Sequence, residues 1–152
     1  MTGFYLLCAH LVGDYLFQND WQAKWKAADG TTTEDEERAL LSLHGDLRLH
    51  ESLRLNAWAA YRPWVACGLH CLLYTLAIAL FTFWWMPLWG YVACYAIHFV
   101  IDRFKLARLW MIHVSGQEYF ATGPLAPWSI IVVDNTFHLL TLAAIAALAG
   151  VS

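Results

Sequence analysis

Apolar residues in this chain are gathered into blocks. Residues 65–83 contain no Asp, Glu, Lys or Arg, and neither do residues 84–101, which Pro87 and Gly90 set apart from them. Residues 128–151 carry one formal charge, Asp134. Each block is about as long as the roughly 17–25 residues that a helix needs to cross a hydrocarbon core. A fourth block, residues 3–17, is apolar except for His10 and Asp14. It stands where a leader peptide would, but no Lys or Arg precedes it and a carboxylate interrupts its apolar run. It therefore reads as a retained first span, short or tilted. The pattern predicts an all-α, polytopic membrane helical bundle with about four transmembrane helices, at residues 3–18, 64–83, 86–103 and 128–150, within a single membrane domain of residues 1–152.

Composition agrees with this. The chain is 60% hydrophobic and 14% charged, whereas a soluble domain has about 25% charged residues. An ordinary soluble enzyme or a disordered tail is disfavoured. A net charge of -3 offers no basic face for a phosphate backbone, so no nucleic acid is expected as a partner. The lipid bilayer is.

The cations orient the spans. Lys24, Lys26, Arg38, Arg48, Arg54 and Arg62 fall between the first and second spans, and Arg103, Lys105 and Arg108 between the third and fourth. None lies before the first span, in the turn at Trp84 to Gly90, or after the fourth. The positive-inside rule then puts both cation-bearing connections in the cytoplasm and both termini outside it, as in a multi-pass protein of the cell inner (plasma) membrane.

Residues 19–62 form the one stretch with water-soluble character, a cytoplasmic insertion. Asp29, Gly30, Thr31 to Thr33 and the acidic run Glu34 to Glu37 read as a surface loop. From Arg38 to Trp58, Leu40, Leu43 and Leu47 suit a helical face, while Leu47, Leu49, Leu53 and Leu55 alternate as a strand would. An amphipathic helix at the membrane surface is the preferred reading. His44 and His50 lie in it as solvated or interfacial residues.

Chemistry enters with the ionisable residues inside the spans, where charge is costly and faces a partner or a cavity. His10 and Asp14, His98 and Asp102, and Asp134 and His138 are each four apart, and His70 stands alone in the second span. An i, i+4 pair projects from one helical face, which is how a helix offers two ligands to one ion. With the orientation above, all seven come to lie in the cytoplasmic half of the bundle. Interhelical hydrogen bonds would explain one such pair, but the full set points to metal ligation by His10, Asp14, His70, His98, Asp102, Asp134 and His138. Imidazole and carboxylate suit zinc, iron or manganese, and seven donors exceed the four of a structural zinc, which favours an open site or two ions.

These residues also carry a resemblance. His10-Leu-Val-Gly-Asp14-Tyr-Leu-Phe-Gln18, Leu69-His70-Cys-Leu-Leu-Tyr74, His98-Phe-Val-Ile-Asp102-Arg-Phe-Lys105 and Asp134-Asn-Thr-Phe-His138 are similar, in order and spacing, to the DUF3307 family of small bacterial and phage integral membrane proteins. The family pattern has GD-x-x-x-Q, a His before a Tyr, H-x-x-x-D-x-x-K and D-Q-x-x-H. Asn135 stands where the family usually has Gln, and residues 29–61 look like an insertion into a shorter connection. The resemblance supports the constellation without naming a reaction.

Gln18, Arg103 and Lys105 lie in or beside these motifs. Their interfacial role is to snorkel toward head groups; their functional role is to bind an anionic oxygen of a substrate. Lys105 follows His98 by seven residues and Asp102 by three, which keeps it on their face if the helix continues. The favoured function is a metal-dependent hydrolase acting on a phosphate-containing or lipid substrate at the cytoplasmic leaflet, with Asp14, Asp102 and Lys105 as catalytic groups. The other reading is non-catalytic: a small membrane protein that binds or conducts an ion, or docks a partner. Cys8, Cys67, Cys71 and Cys94 read as reduced, buried thiols, and the tryptophans near the span ends as an interfacial belt.

Overall fold

The computed structural model describes residues 2–28 and 49–150, whose regular structure is all helical, with no strand among the described residues. The chain begins with α1 (Thr2–Leu11), which widens into a π-helical turn (Val12–Leu16), then α2 (Asp20–Trp25). A long α3 (Leu49–Thr82) follows, then α4 (Leu88–Arg103), α5 (Leu106–His113), α6 (Glu118–Thr122) and α7 (Ala126–Leu148). The expected acidic loop at 29–37, and residues 38–48 of the expected amphipathic segment, lie outside the described residues.

Among the described residues two helices are long and apolar enough to cross a membrane: Ala60–Thr82 within α3 and Trp128–Leu148 within α7. The first and third expected spans are shorter. α1 with its π turn has fifteen residues (ten and five) and α4 has sixteen, or about 22–24 Å of helix against a hydrocarbon core of about 30 Å. Residues 49–58 also differ from expectation. They are continuous with the second span in one helix of 34 residues, not a separate surface segment. Arg54 and Arg62 mark where hydropathy ends, but neither breaks a helix. Pro63 removes one backbone donor inside α3, and the helix runs through it.

Local chemistry explains the ends. Asn19 caps α2 with a capping box: its side chain accepts from Gln22 N at 2.9 Å, and Gln22 Oε1 accepts from Asn19 N at 3.0 Å. Pro87, in extended conformation, starts α4. α4 stops at Arg103 because Lys105 takes a left-handed conformation, φ 53° and ψ 41°. Hydroxyls in the apolar helices are satisfied within their own helix: Thr75 donates to Cys71 O at 2.8 Å, and Thr141 to His138 O at 2.8 Å.

α3 is the hub, packing against α1, the π turn, α2 and α4, while α7 covers α1, α4, α5 and α6. One apolar cluster joins Leu6 and Ala9 of α1, Tyr74 and Ile78 of α3, Cys94 of α4, and Leu142 and Ile145 of α7. The polar residues follow this cluster in α1 and α4 and precede it in α3 and α7. All four helices therefore bring their His and Asp residues to the same end of the core. Approach is close there: a Cβ on Gly13 would meet Tyr74 Cδ2 at 2.7 Å and Tyr74 Cα at 3.1 Å.

Large apolar side chains lie on the surface of the described residues while several histidines lie inside. Leu80, Phe83, Leu88, Val132 and Leu148 are 63–79% exposed, while His70, His98 and His138 are buried. In water each such exposed side chain would forgo up to about 1.5–3 kcal/mol of burial, so the outer face suits an apolar surrounding.

Candidate metal centre

Asp14 sits in the π turn. A π turn is one residue wider than an α turn and re-aims the side chains it carries. Asp14 Oδ1 stands 3.3 Å from His70 Nε2 and 3.5 Å from His98 Nε2. The two imidazole nitrogens are 3.0 Å apart. Asp102 Oδ2 completes the group at 3.3 Å from His70 Nε2 and 3.4 Å from His98 Nε2. Ligands of a four-coordinate ion with bonds of about 2.0–2.2 Å lie about 3.3–3.6 Å from one another. The spacing fits.

Proton counting points the same way. His70 Nε2 is within 3.3 Å of His98 Nε2, Lys26 Nζ, Asp14 Oδ1 and Asp102 Oδ2, yet one ring nitrogen offers a single hydrogen or a single lone pair. Asp14 Oδ1 is buried and has no hydrogen-bond partner among the described residues, whereas Asp102 Oδ2 has the Lys26 ammonium 2.8 Å away. An orphaned buried carboxylate oxygen is what a cation would satisfy.

Asp102 faces both ways. Its other oxygen, Oδ1, lies 3.2 Å from His138 Nε2, which is in turn 3.3 Å from Asp134 Oδ2. His98, Asp102 and His138 form a second buried group able to hold an ion, beside that of Asp14, His70 and His98. The rings are fixed by packing: His98 stacks on His138 at 4.0 Å between centroids, and Tyr74 lies tilted by 41° against it at 3.9 Å. His70 Nδ1 and His98 Nδ1 have no hydrogen-bond partner among the described residues, so ring contacts take the orienting role that an acceptor usually plays.

His10 stands one layer out. Its Nε2 is 3.0 Å from Asn135 Oδ1, and its Nδ1 is 3.2 Å from both Tyr74 Oη and Asp14 Oδ2. Asn135 also donates to Tyr15 Oη. Both ring nitrogens thus face protein partners, and the ring braces Asp14.

Lys26 is the residue that the spacing of motifs did not reveal. Its Nζ lies 2.8 Å from Asp102 Oδ2. Burial by itself would favour the neutral amine, but the carboxylates of Asp102 and Asp14 outweigh it and hold the pKa above the usual lysine value.

The expected anion-binding residues separate. Lys105 leaves the face of His98 and Asp102, because the helix ends at Arg103 and Lys105 itself turns left-handed. It reaches the centre from another side, lining a cavity of about 550 Å³ with Gln18, Lys26, Asp102, Arg108 and Asp134. Arg103 points elsewhere, donating to Ala28 O at 3.0 Å and covering the Trp64 ring at 4.6 Å. Cys67, Cys71 and Cys94 are buried free thiols, Cys8 is a half-buried one, and none joins either ligand group.

Comparison with known protein families, curated proteins and solved structures returns no match for this chain.

Proposed function

We propose that the protein is a membrane-embedded, metal-dependent hydrolase acting on a phosphate-containing or lipid substrate at the cytoplasmic leaflet. The observation that carries it is the crowding of Asp14 Oδ1, His70 Nε2, His98 Nε2 and Asp102 Oδ2 at 3.0–3.5 Å beside a cavity of about 550 Å³. Zinc, iron and manganese suit the donors. The cavity joins polar groups, Lys26, Lys105, Arg108 and Gln18, to an apolar wall that includes Ile130 and Ile131. An anionic head group with an acyl tail has that same division. A bound metal would supply Lewis acidity; Lys26, Lys105 and Arg108 would hold phosphate oxygens, and an acidic residue of the centre would take a proton from water.

The membrane reading belongs to the same proposal. It has four spans in the cell inner membrane, α1 with its π turn and α4 serving as short ones, with both termini outside the cytoplasm. Membership of DUF3307, which rests on the four motifs, belongs to it too.

The burial of His70, His98 and Asp102 favours a second reading, an ion-binding or ion-conducting protein without turnover. Purified protein in detergent, offered lipid phosphates with and without a chelator, separates the two. Phosphate release that a chelator and Asp102→Ala both abolish supports hydrolysis. Retained metal with no turnover of any lipid phosphate supports the ion-binding reading, and absence of metal after purification and after reloading removes both.

A further inference from the structure

The geometry points to a dinuclear centre of unequal halves, bridged by the carboxylate of Asp102. This deepens the metal-binding reading above and rests on it. Asp102 is placed by α4 so that its two oxygens face different ligand sets. Oδ2 closes a group of four with Asp14 Oδ1, His70 Nε2 and His98 Nε2. Oδ1 faces His138 Nε2, 3.2 Å away, which with His98 makes the second group able to hold an ion, and Asp134 Oδ2 lies a further 3.3 Å from the His138 nitrogen. A carboxylate that spans two ions is the usual bridge in two-metal sites, whose ions lie about 3.5–4 Å apart.

Burial divides the halves. The side chains of Asp102, His70 and His98 are 0–2% exposed and that of Asp14 is 9% exposed, whereas Asp134 is 27% exposed and lines the cavity. The first half has four protein donors and is shut off, as structural sites are. The second has three and faces the cavity, as catalytic sites do. His98 Nε2 is within reach of either half. Its contacts of 3.0 Å to His70 and 3.4 Å to Asp102 Oδ2 assign it to the closed one. His10 is excluded from both by its bonds to Asn135 and Tyr74, and acts as a positioning residue for Asp14.

The test uses the full chain in detergent, stripped with a chelator and titrated with Mn²⁺ alone, read by bound-metal stoichiometry and electron paramagnetic resonance. Wild type should bind two equivalents in two phases of different affinity and give the spectrum of an exchange-coupled pair. Asp134→Ala should keep one equivalent, uncoupled, and Asp102→Ala should lose coupling and the weaker ion together. One equivalent without coupling in wild type overturns the dinuclear assignment while the metal-binding reading stands, and two equivalents retained by Asp134→Ala overturn the placing of Asp134 in the second half. No bound Mn²⁺ in wild type overturns both. Because the spectrum of wild type decides by itself, the result does not depend on whether either variant folds.

Discussion

Lys26 Nζ and Asp102 Oδ2 are 2.8 Å apart, and the same carboxylate oxygen lies 3.3–3.4 Å from two histidine nitrogens. A lysine ammonium and a metal ion therefore compete for one oxygen. Removing the lysine should loosen the protein and tighten the ion. Lys26→Met would strand Asp102 without its cation, costing about 3 kcal/mol of stability in chelator. It would also remove a like charge from beside the ion, raising metal affinity by about tenfold. Thermal melts with and without Mn²⁺ check both: the variant should gain more from metal than wild type does. An equal gain in the two proteins would refute the competition.

His10 holds Asp14 from behind, with Asn135 fixing its far nitrogen. Asn135→Leu keeps the volume and removes the acceptor. The stranded imidazole N–H should cost about 1–3 kcal/mol, and metal affinity should fall by about 10–100-fold, as is usual when a ligand's support is lost. Asn135→Gln, the residue of the resembled motif, should recover part of the affinity if its longer arm still reaches His10. Isothermal titration of the three proteins with Zn²⁺ reads the order, and Leu binding as tightly as Asn would show that His10 has no supporting role.

How much of this was legible beforehand follows from distance along the chain. Pairs four apart on one helix, such as His98 with Asp102 and Asp134 with His138, are fixed by helical geometry alone, and the structure places them 3.3–3.4 Å apart. That His70 meets Asp14 depends on α1 packing on α3, which hydrophobic periodicity implies only loosely. Lys26 was hidden for a different reason: it reaches Asp102 across 76 residues (102 minus 26), from the C-terminal cap of a helix of six residues whose placement no repeat announces. Lys105 shares the face of His98 and Asp102 only on a continuing helix, and the helix ends at Arg103. The left-handed turn that ends it occurs at a lysine, a residue type with no preference for that region. Hydropathy likewise located the apolar part of α3 but not its start, since a helix continues past the point where its side chains cease to be apolar.

Gly13 lets the π turn lie against α3. Its added Cβ in Gly13→Ala would stand 3.1 Å from the backbone Cα of Tyr74, which cannot swing aside. The turn must shift, and Asp14, the next residue, moves with it. A loss of about 1–3 kcal/mol in stability is expected from overpacking, with a drop in metal affinity larger than that of Gly3→Ala, where the new methyl meets nothing within 4 Å. Melting and metal titration of the two variants side by side decide it. Equal affinities would mean that the close approach does not set the position of Asp14.

Lys105 has two roles that one substitution can separate. Its left-handed backbone, φ 53°, is strained for a residue with a Cβ, by roughly 1 kcal/mol relative to glycine. Its side chain lines the cavity beside Asp102 and Asp134. Lys105→Gly relieves the strain and removes the cation, so stability should hold or rise by up to about 1 kcal/mol while binding of inorganic phosphate to the metal-loaded protein weakens several-fold. Lys105→Asn, which tolerates the same backbone region, should weaken phosphate binding as Gly does without the full gain in stability. A loss of phosphate binding that tracks a loss of stability would mark Lys105 as structural alone; a loss in a protein at least as stable as wild type would place the lysine at the substrate.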